Sequence, residues 1–85
     1  MTKNKQIIQN IKLSEKLANY VAENPQKLGN LPAKASFVTF SVKDKKLNEE
    51  NKKLLEGLKK EGKRIIKAQE TADKNNPWRF TLIPS

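Results

Sequence analysis

The chain has 85 residues, 18 of them lysine or arginine and 9 of them aspartate or glutamate, so its formal net charge is +9. It has no cysteine and no histidine, which excludes disulfides, thiolate nucleophiles, zinc sites with sulfur ligands and a histidine general base. A chain this short forms one small core, so we expect a single domain over residues 1–85, with no cofactor and no enzymatic activity.

The positive charge is spread along the chain and comes mostly from lysine, because Arg64 and Arg79 are the two arginines. Joint enrichment in lysine, asparagine and isoleucine is also what an A/T-rich genome produces, so the charge alone does not predict a nucleic-acid ligand. The first residues, MTKNKQIIQNIK, contain no continuous apolar run. This predicts no signal peptide, no membrane association and a cytoplasmic location.

The first predicted element is a helix of about six turns that ends before Asn24-Pro25. At about 100° per residue, one apolar stripe contains Ile7, Ile11, Leu17, Ala18 and Val21, with Ile8, Leu13 and Tyr20 on its shoulders. We expect this stripe to face the core.

Residues 36–42, SFVTFSV, alternate in the way that is typical of a half-buried strand. The alternation points Val38, Phe40 and Val42 to one side, and Phe37, Thr39 and Ser41 to the other. We expect the first set to face the helices and the second to face water.

A second helix is predicted to start at Asn48, followed by Glu49 and Glu50, and to stop at Gly62. Its lysine pairs, at 45–46, 52–53 and 59–60, fall on the flanks opposite its leucines. We interpret these pairs as a solvated helix face, and a comb of phosphate contacts is the alternative.

Residues 64–70, RIIKAQE, and 78–83, WRFTLI, are two further predicted strands joined by a hairpin loop. A right-handed crossover makes the first two strands parallel, and the hairpin adds the third strand antiparallel to its neighbour. The predicted fold is therefore an α+β two-layer sandwich of order α-β-α-β-β, with a three-stranded mixed sheet and both helices on one face.

Several short features resemble a family of short prokaryotic proteins catalogued as a domain of unknown function. They are a Leu-Ser helix at Leu13 and Ser14, the helix end at Asn24-Pro25, Pro32 before the first strand, Asp44 after it, Asn51 in the next helix, and Gly62-Lys63 before the second strand. The resemblance implies a fold and no mechanism, because the family has no established activity.

A polar cluster is predicted near the end of the first strand, from Asp44, Asn48 and Asn51. Asn51 lies in line with the buried leucines of the second helix, so its amide must be hydrogen-bonded. It either ties the helix to the loop around Asp44 or makes a specific polar contact with a ligand at the strand end.

The open face of the sheet is the stronger candidate for an interaction site. We expect it to present Phe37, Thr39, Ile65, Lys67, Arg79, Thr81 and Ile83. This face is either solvated, packed against a partner, or used to hold single-stranded RNA, with Phe37 stacking on a base while Lys67 and Arg79 meet phosphates.

These observations favour a small non-enzymatic protein-interaction or regulatory module that uses the open sheet face. Its partner is an unidentified protein or a second copy in a homodimer. A basic nucleic-acid-binding accessory protein is the alternative.

Overall fold

A computed structural model of the chain describes residues 2–28 and 34–83. The first helix, α1, spans Lys3–Glu23, and a short 3-10 helix follows at Pro25–Leu28. The Thr2 hydroxyl caps α1 by accepting a hydrogen bond from the Lys5 N–H at 3.2 Å. The helix ends before Asn24-Pro25, as predicted, whereas Pro32 lies outside the described residues.

The three strands form one mixed sheet in the order β1-β2-β3. They are β1 (Ser36–Phe40), β2 (Ile65–Glu70) and β3 (Trp78–Ile83), and β2 pairs parallel with β1 and antiparallel with β3. The second helix, α2, spans Lys45–Lys60 and connects the two parallel strands. The predicted α+β class, the element order and the mixed sheet are therefore confirmed.

The connection from β1 to α2 is shorter than predicted. The Ser41 hydroxyl accepts hydrogen bonds from the Lys43 and Asp44 N–H groups, both at 3.2 Å, and so turns the chain out of the strand. Asp44 then caps α2, which begins at Lys45 instead of after Asn48. At the other end Gly62 adopts a φ of 75°, the left-handed conformation that stops a helix.

The helices pack on different parts of the sheet. Leu13 and Leu17 of α1 form one core cluster with Ala68 and Trp78. Leu55 of α2 forms a second core cluster with Val38, Phe40 and Ile65. Strand pairing puts Val38 beside Lys67, and therefore on the face opposite Ala68.

The prediction that both helices cover one face of the sheet is wrong for most of α2, because only its start shares the face covered by α1. Leu47, in the first turn of α2, joins the cluster of Leu13 and Leu17, whereas the second half of the helix packs over the other side of β1. The helix thus runs along the outer edge of β1 and crosses from one face of the sheet to the other. Trp78 is 6% exposed and belongs to the core, and the partly buried Tyr20 packs against its cluster.

The buried side of α1 is not the predicted one. Leu13 and Leu17 are buried, but Ile7 is 51% exposed and Ile11 is 55% exposed. The helix is rotated because two polar residues near its start, Gln6 and Asn10, make hydrogen bonds to α2. The stripe through Ile7, Ile11 and Ala18 consequently faces outwards.

Candidate functional site

The predicted polar cluster lies where β1 ends and α2 begins. Asp44 Oδ1 accepts a hydrogen bond from the Leu47 N–H at 3.0 Å. Asn48 Oδ1 accepts one from the Ser41 N–H at 2.7 Å, and its Nδ2 donates to the Ser41 carbonyl at 2.8 Å. Asn51, one turn further along, is only 1% exposed. All three side chains are therefore engaged within the protein at this junction.

Asn51 uses its full hydrogen-bonding capacity. Its Nδ2 donates to the Thr39 carbonyl at 2.8 Å and to Asn10 Oδ1 at 2.7 Å. Its Oδ1 accepts from Asn10 Nδ2 at 3.0 Å and from Gln6 Nε2 at 3.1 Å. A side-chain amide offers two donors and two acceptor lone pairs, so no capacity is left for a ligand. Of the two predicted roles, a tie to the loop around Asp44 or a contact with a ligand, the hydrogen bonds show neither, because the amide ties α2 to β1 and α1.

These amides cover part of the outer edge of β1. The Ser36 N–H donates to the Arg64 carbonyl at 2.9 Å, so residues 36, 38 and 40 bond to β2 and the Thr39 and Ser41 carbonyls point away from the sheet. The amides of Asn51 and Asn48 donate to those two carbonyls. Because an unpaired edge invites pairing with another chain, α2 protects this end of the edge.

The residues predicted to form one open face divide between the two sides of the sheet. One side carries Phe37 and Thr39, and the other carries Ile65, Lys67, Arg79, Thr81 and Ile83. The prediction of one continuous face is wrong because the parallel register pairs Val38 with Lys67. A shift of one residue between strands reverses which residues share a face. Ile65 is fully buried and Thr39 is 7% exposed. The prediction that these two side chains face solvent is therefore wrong.

The open part of the second face is basic and polar. Arg79 and Thr81 are exposed, and Lys67 pairs with Thr81 between strands. The Lys67 ammonium lies 4.9 Å from the centroid of the Phe40 ring, a cation–π contact that covers this buried aromatic. Phe40 is therefore not free to stack on a base.

The lysine pairs of α2 form the predicted solvated flank. Their six side chains are all exposed, and Lys53 makes a salt bridge to Glu50 at 3.4 Å. An exposed pair of this kind contributes little to stability, about 0.3 to 0.5 kcal/mol.

Large apolar side chains are exposed on α1, on the side that faces away from the sheet core, and on the neighbouring α2 and β1. Ile7 and Ile11 are more than half exposed, Leu54 of α2 is 47% exposed and Phe37 of β1 is 43% exposed. Ser14, Ala18 and Ala22 of α1 are exposed as well. We call Ile7, Ile11, Ser14, Ala18 and Ala22 the outer stripe of α1.

A groove with a volume of about 570 Å³ lies between α1 and α2, with β1 as its floor. Its lining residues are Asn10, Ser14, Leu17, Ala18, Val21, Ala22, Phe37, Val38, Thr39, Asn51 and Leu54. A second depression continues along α1 past Ile7 and Ile11. The groove and the outer stripe therefore form one continuous apolar surface.

This surface is nearly free of charge. Glu15 is the one charged residue that lines either depression in the described part of the chain, although 32% of all residues are charged. The polar atoms at its floor belong to the Asn10, Thr39 and Asn51 network, in which the Asn51 amide is fully bonded. The surface therefore matches an apolar partner better than a charged one.

Within residues 2–28 and 34–83, no three acidic side chains come together in a group that could hold a metal ion. In the same ranges, no helix has both the length and the apolar character needed to cross a bilayer.

The fold and groove define a small α+β protein in which a helix covers the edge of a mixed three-stranded sheet. Residues 5–76 match the model of the Family of unknown function (DUF5647), so the chain belongs to that family. This confirms the resemblance to a domain of unknown function. No curated protein and no solved structure matches the chain.

The sequence contains one signal for the groove that was missed. Ile11 and Leu13 are two residues apart and therefore lie about 160° apart around a helix. A single core-facing stripe does not hold both. Two apolar stripes on one helix indicate that one of them is left for another contact.

Proposed function

We propose that this chain is a non-enzymatic, cytoplasmic protein-interaction module, and that its docking surface is the groove between α1 and α2 together with the outer stripe of α1. The partner element is a helix that presents aliphatic side chains along one side. The observation that carries the proposal is the exposure of Phe37 and Leu54 in the groove and of Ile7 and Ile11 in the depression that continues it along α1. Exposed apolar side chains gathered into one patch are typical of an interaction site.

A helix suits this surface because of its length and width. From Ile7 to Ala22 the outer stripe rises about 22 Å, at about 1.5 Å per residue. A partner helix laid along it would place side chains spaced by three and four residues against Leu54 on the far wall and Phe37 on the floor. Helix-in-groove recognition uses the same spacing of anchors.

A small polar ligand suits the surface less well. Orientation of such a ligand requires polar groups with free hydrogen-bonding capacity, but Asn51 at the floor of the groove has none left. The apolar walls contribute contact area without a fixed direction. These features support a macromolecular partner bound by shape and apolar burial.

The alternative is a basic nucleic-acid-binding role for the open strip that contains Lys67 and Arg79. The net charge of +9 and the exposed Arg79 favour it. Burial of Phe40 and the position of Phe37 on the opposite face count against it, since single-stranded binding normally adds aromatic stacking to the charge. We therefore favour protein binding through the groove over nucleic-acid binding through the basic strip.

The test uses two lysine substitutions at leucines of matched exposure. Leu54 lines the groove and is 47% exposed, while Leu82 of β3 is 45% exposed and does not line it. Wild-type chain, Leu54→Lys and Leu82→Lys are used as bait, and each protein recovered is purified and titrated against all three.

We expect Leu54→Lys to weaken binding of a true partner about tenfold or more, because a charged group enters an apolar contact, and Leu82→Lys to leave it unchanged. Partners that bind Leu54→Lys as tightly as wild type would overturn the proposal. Circular dichroism on the three proteins checks that each is folded.

A further inference from the structure

We propose that the partner helix is α1 of a second copy of this chain, and that the two copies form a two-fold symmetric dimer with antiparallel α1 helices. The inference rests on the docking surface proposed above and names its occupant. The observation behind it is the order of side-chain sizes along the outer stripe.

The outer stripe is large at one end and small at the other. Ile7 and Ile11 form a ridge on its first half, and Ala18 and Ala22 leave a shallow second half. A two-fold axis midway between Ser14 and Glu15 places Ile7 opposite Ala22 of the second copy and Ile11 opposite Ala18. Each large residue then meets a small one, which is the self-complementarity that a two-fold interface requires.

The groove lies beside the small half of the stripe. Ala18 and Ala22 line it together with Leu54 and Phe37, so the two isoleucines of the second copy would enter it between the helices. The second copy would in turn receive Ile7 and Ile11 of the first. Both exposed features, the ridge and the groove, are covered by the same contact.

Charge favours this surface over the sheet for self-association. A dimer formed through the open sheet face would bring Lys67 and Arg79 towards their own copies. The outer stripe has no charged residue, and Glu15 borders it near its centre. Glu15 would face Glu15 of the second copy across the axis. The two carboxylates would repel each other, so removal of this charge should strengthen the dimer.

The interface is small, so the dimer is expected to be weak. A standard interface takes about 800 Å² from each partner, which is about an eighth of the 6209 Å² surface described for this chain. A contact made by one helix and one groove wall is expected to bury no more than the lower end of that range. The dissociation constant of the dimer is therefore expected to be about 1 to 100 μM.

Sedimentation equilibrium over a wide concentration range measures this association directly. We expect Ala18→Leu to weaken the dimer about tenfold, because a large residue then opposes Ile11. General apolar stickiness predicts the reverse, since this substitution adds exposed apolar surface. The size swap Ile11→Ala with Ala18→Ile restores the pairing of large with small and should recover association, and Glu15→Gln should tighten it.

Disulfide trapping tests the arrangement, because the chain has no native cysteine. A disulfide needs Cα atoms within about 7 Å. We expect Ser14→Cys to cross-link with itself, and Ile11→Cys to cross-link with Ala18→Cys in a mixed sample. Each of those two variants alone should not cross-link, and Lys12→Cys, outside the outer stripe, serves as the control.

The dimer proposal would be overturned if the chain stays monomeric at every concentration. It would also be overturned if Lys12→Cys cross-links as efficiently as Ser14→Cys or as the mixed pair Ile11→Cys and Ala18→Cys. The docking groove would survive that result if Leu54→Lys still lost a purified partner that Leu82→Lys retained. If a dimer forms but Leu54→Lys and Ala18→Leu leave its dissociation constant unchanged, both the dimer described here and the groove proposal fail.

Discussion

Replacement of Asn51 by alanine tests whether one buried amide holds α2 against both β1 and α1. The substitution removes Asn51 Nδ2, which donates a hydrogen bond to the buried Thr39 carbonyl oxygen at 2.8 Å. An unsatisfied buried polar group costs about 1 to 3 kcal/mol. Asn10 and Gln6 also lose a partner, but both are half-buried, so water replaces much of that loss.

The missing amide also leaves a small cavity, which adds about 1 kcal/mol. We therefore expect Asn51→Ala to lower the free energy of unfolding by about 2 to 4 kcal/mol. The total free energy of unfolding of a small domain is about 5 to 15 kcal/mol, so the expected loss is a large part of it. The single tryptophan, Trp78, is buried in the core and reports unfolding in urea by its fluorescence.

Two further variants separate the causes. Asn19→Ala removes an exposed amide from α1 and should not destabilise the chain, because that amide is exposed and alanine is the best helix former. Asn51→Leu restores most of the volume without the donor, so it should remain destabilised. The reasoning is refuted if Asn51→Ala costs no more than Asn19→Ala, or if Asn51→Leu recovers wild-type stability.

The other two predictions concern the register of β1 and the basic strip. Phe40→Ala should cost about 3 to 5 kcal/mol in a urea melt, whereas Phe37→Ala, at a position that is 43% exposed on the opposite face of the same strand, should cost less than about 1.5 kcal/mol; equal losses would contradict the register. Binding to single- or double-stranded DNA or RNA should be seen only at low salt, through general attraction to a chain of charge +9. Micromolar binding at physiological salt that weakens on Lys67→Glu with Arg79→Glu would instead support the nucleic-acid alternative.

The class of fold could be predicted because several local signals agreed with each other. The Asn24-Pro25 helix end, the strand at 78–83 and Gly62 after α2 each have a strong local cause, and each was found where it was expected. The helix cap was harder to place. Asp44 and Asn48 are both good capping residues, and the choice depended on the turn that Ser41 makes after β1.

The register between β1 and β2 could not be predicted in the same way. Both faces of β2 have buried residues, Ile65 on one and Ile66 and Ala68 on the other. A strand buried on both sides has no polar face to fix its orientation. The predicted interaction face failed for this reason, since it assumed that Ile65 and Lys67 share a face with Phe37.

The rotation of α1 connects the fold to the proposed docking surface. Gln6 and Asn10 lie on the same side of the helix as Leu13 and Leu17, and each precedes an isoleucine by one residue, which is a turn of about 100°. Their bonds to Asn51 therefore hold Ile7 and Ile11 away from the core. A buried polar contact of this kind selects one packing arrangement among several.

That selection has a cost which an interface would offset. Full burial of an isoleucine contributes about 1.5 to 3 kcal/mol, so leaving Ile7 and Ile11 about half exposed forgoes roughly 2 kcal/mol in the isolated chain. With a helix on the outer stripe, the same burial is gained on association. The amide network that fixes the core is thus also what presents an apolar surface to a partner.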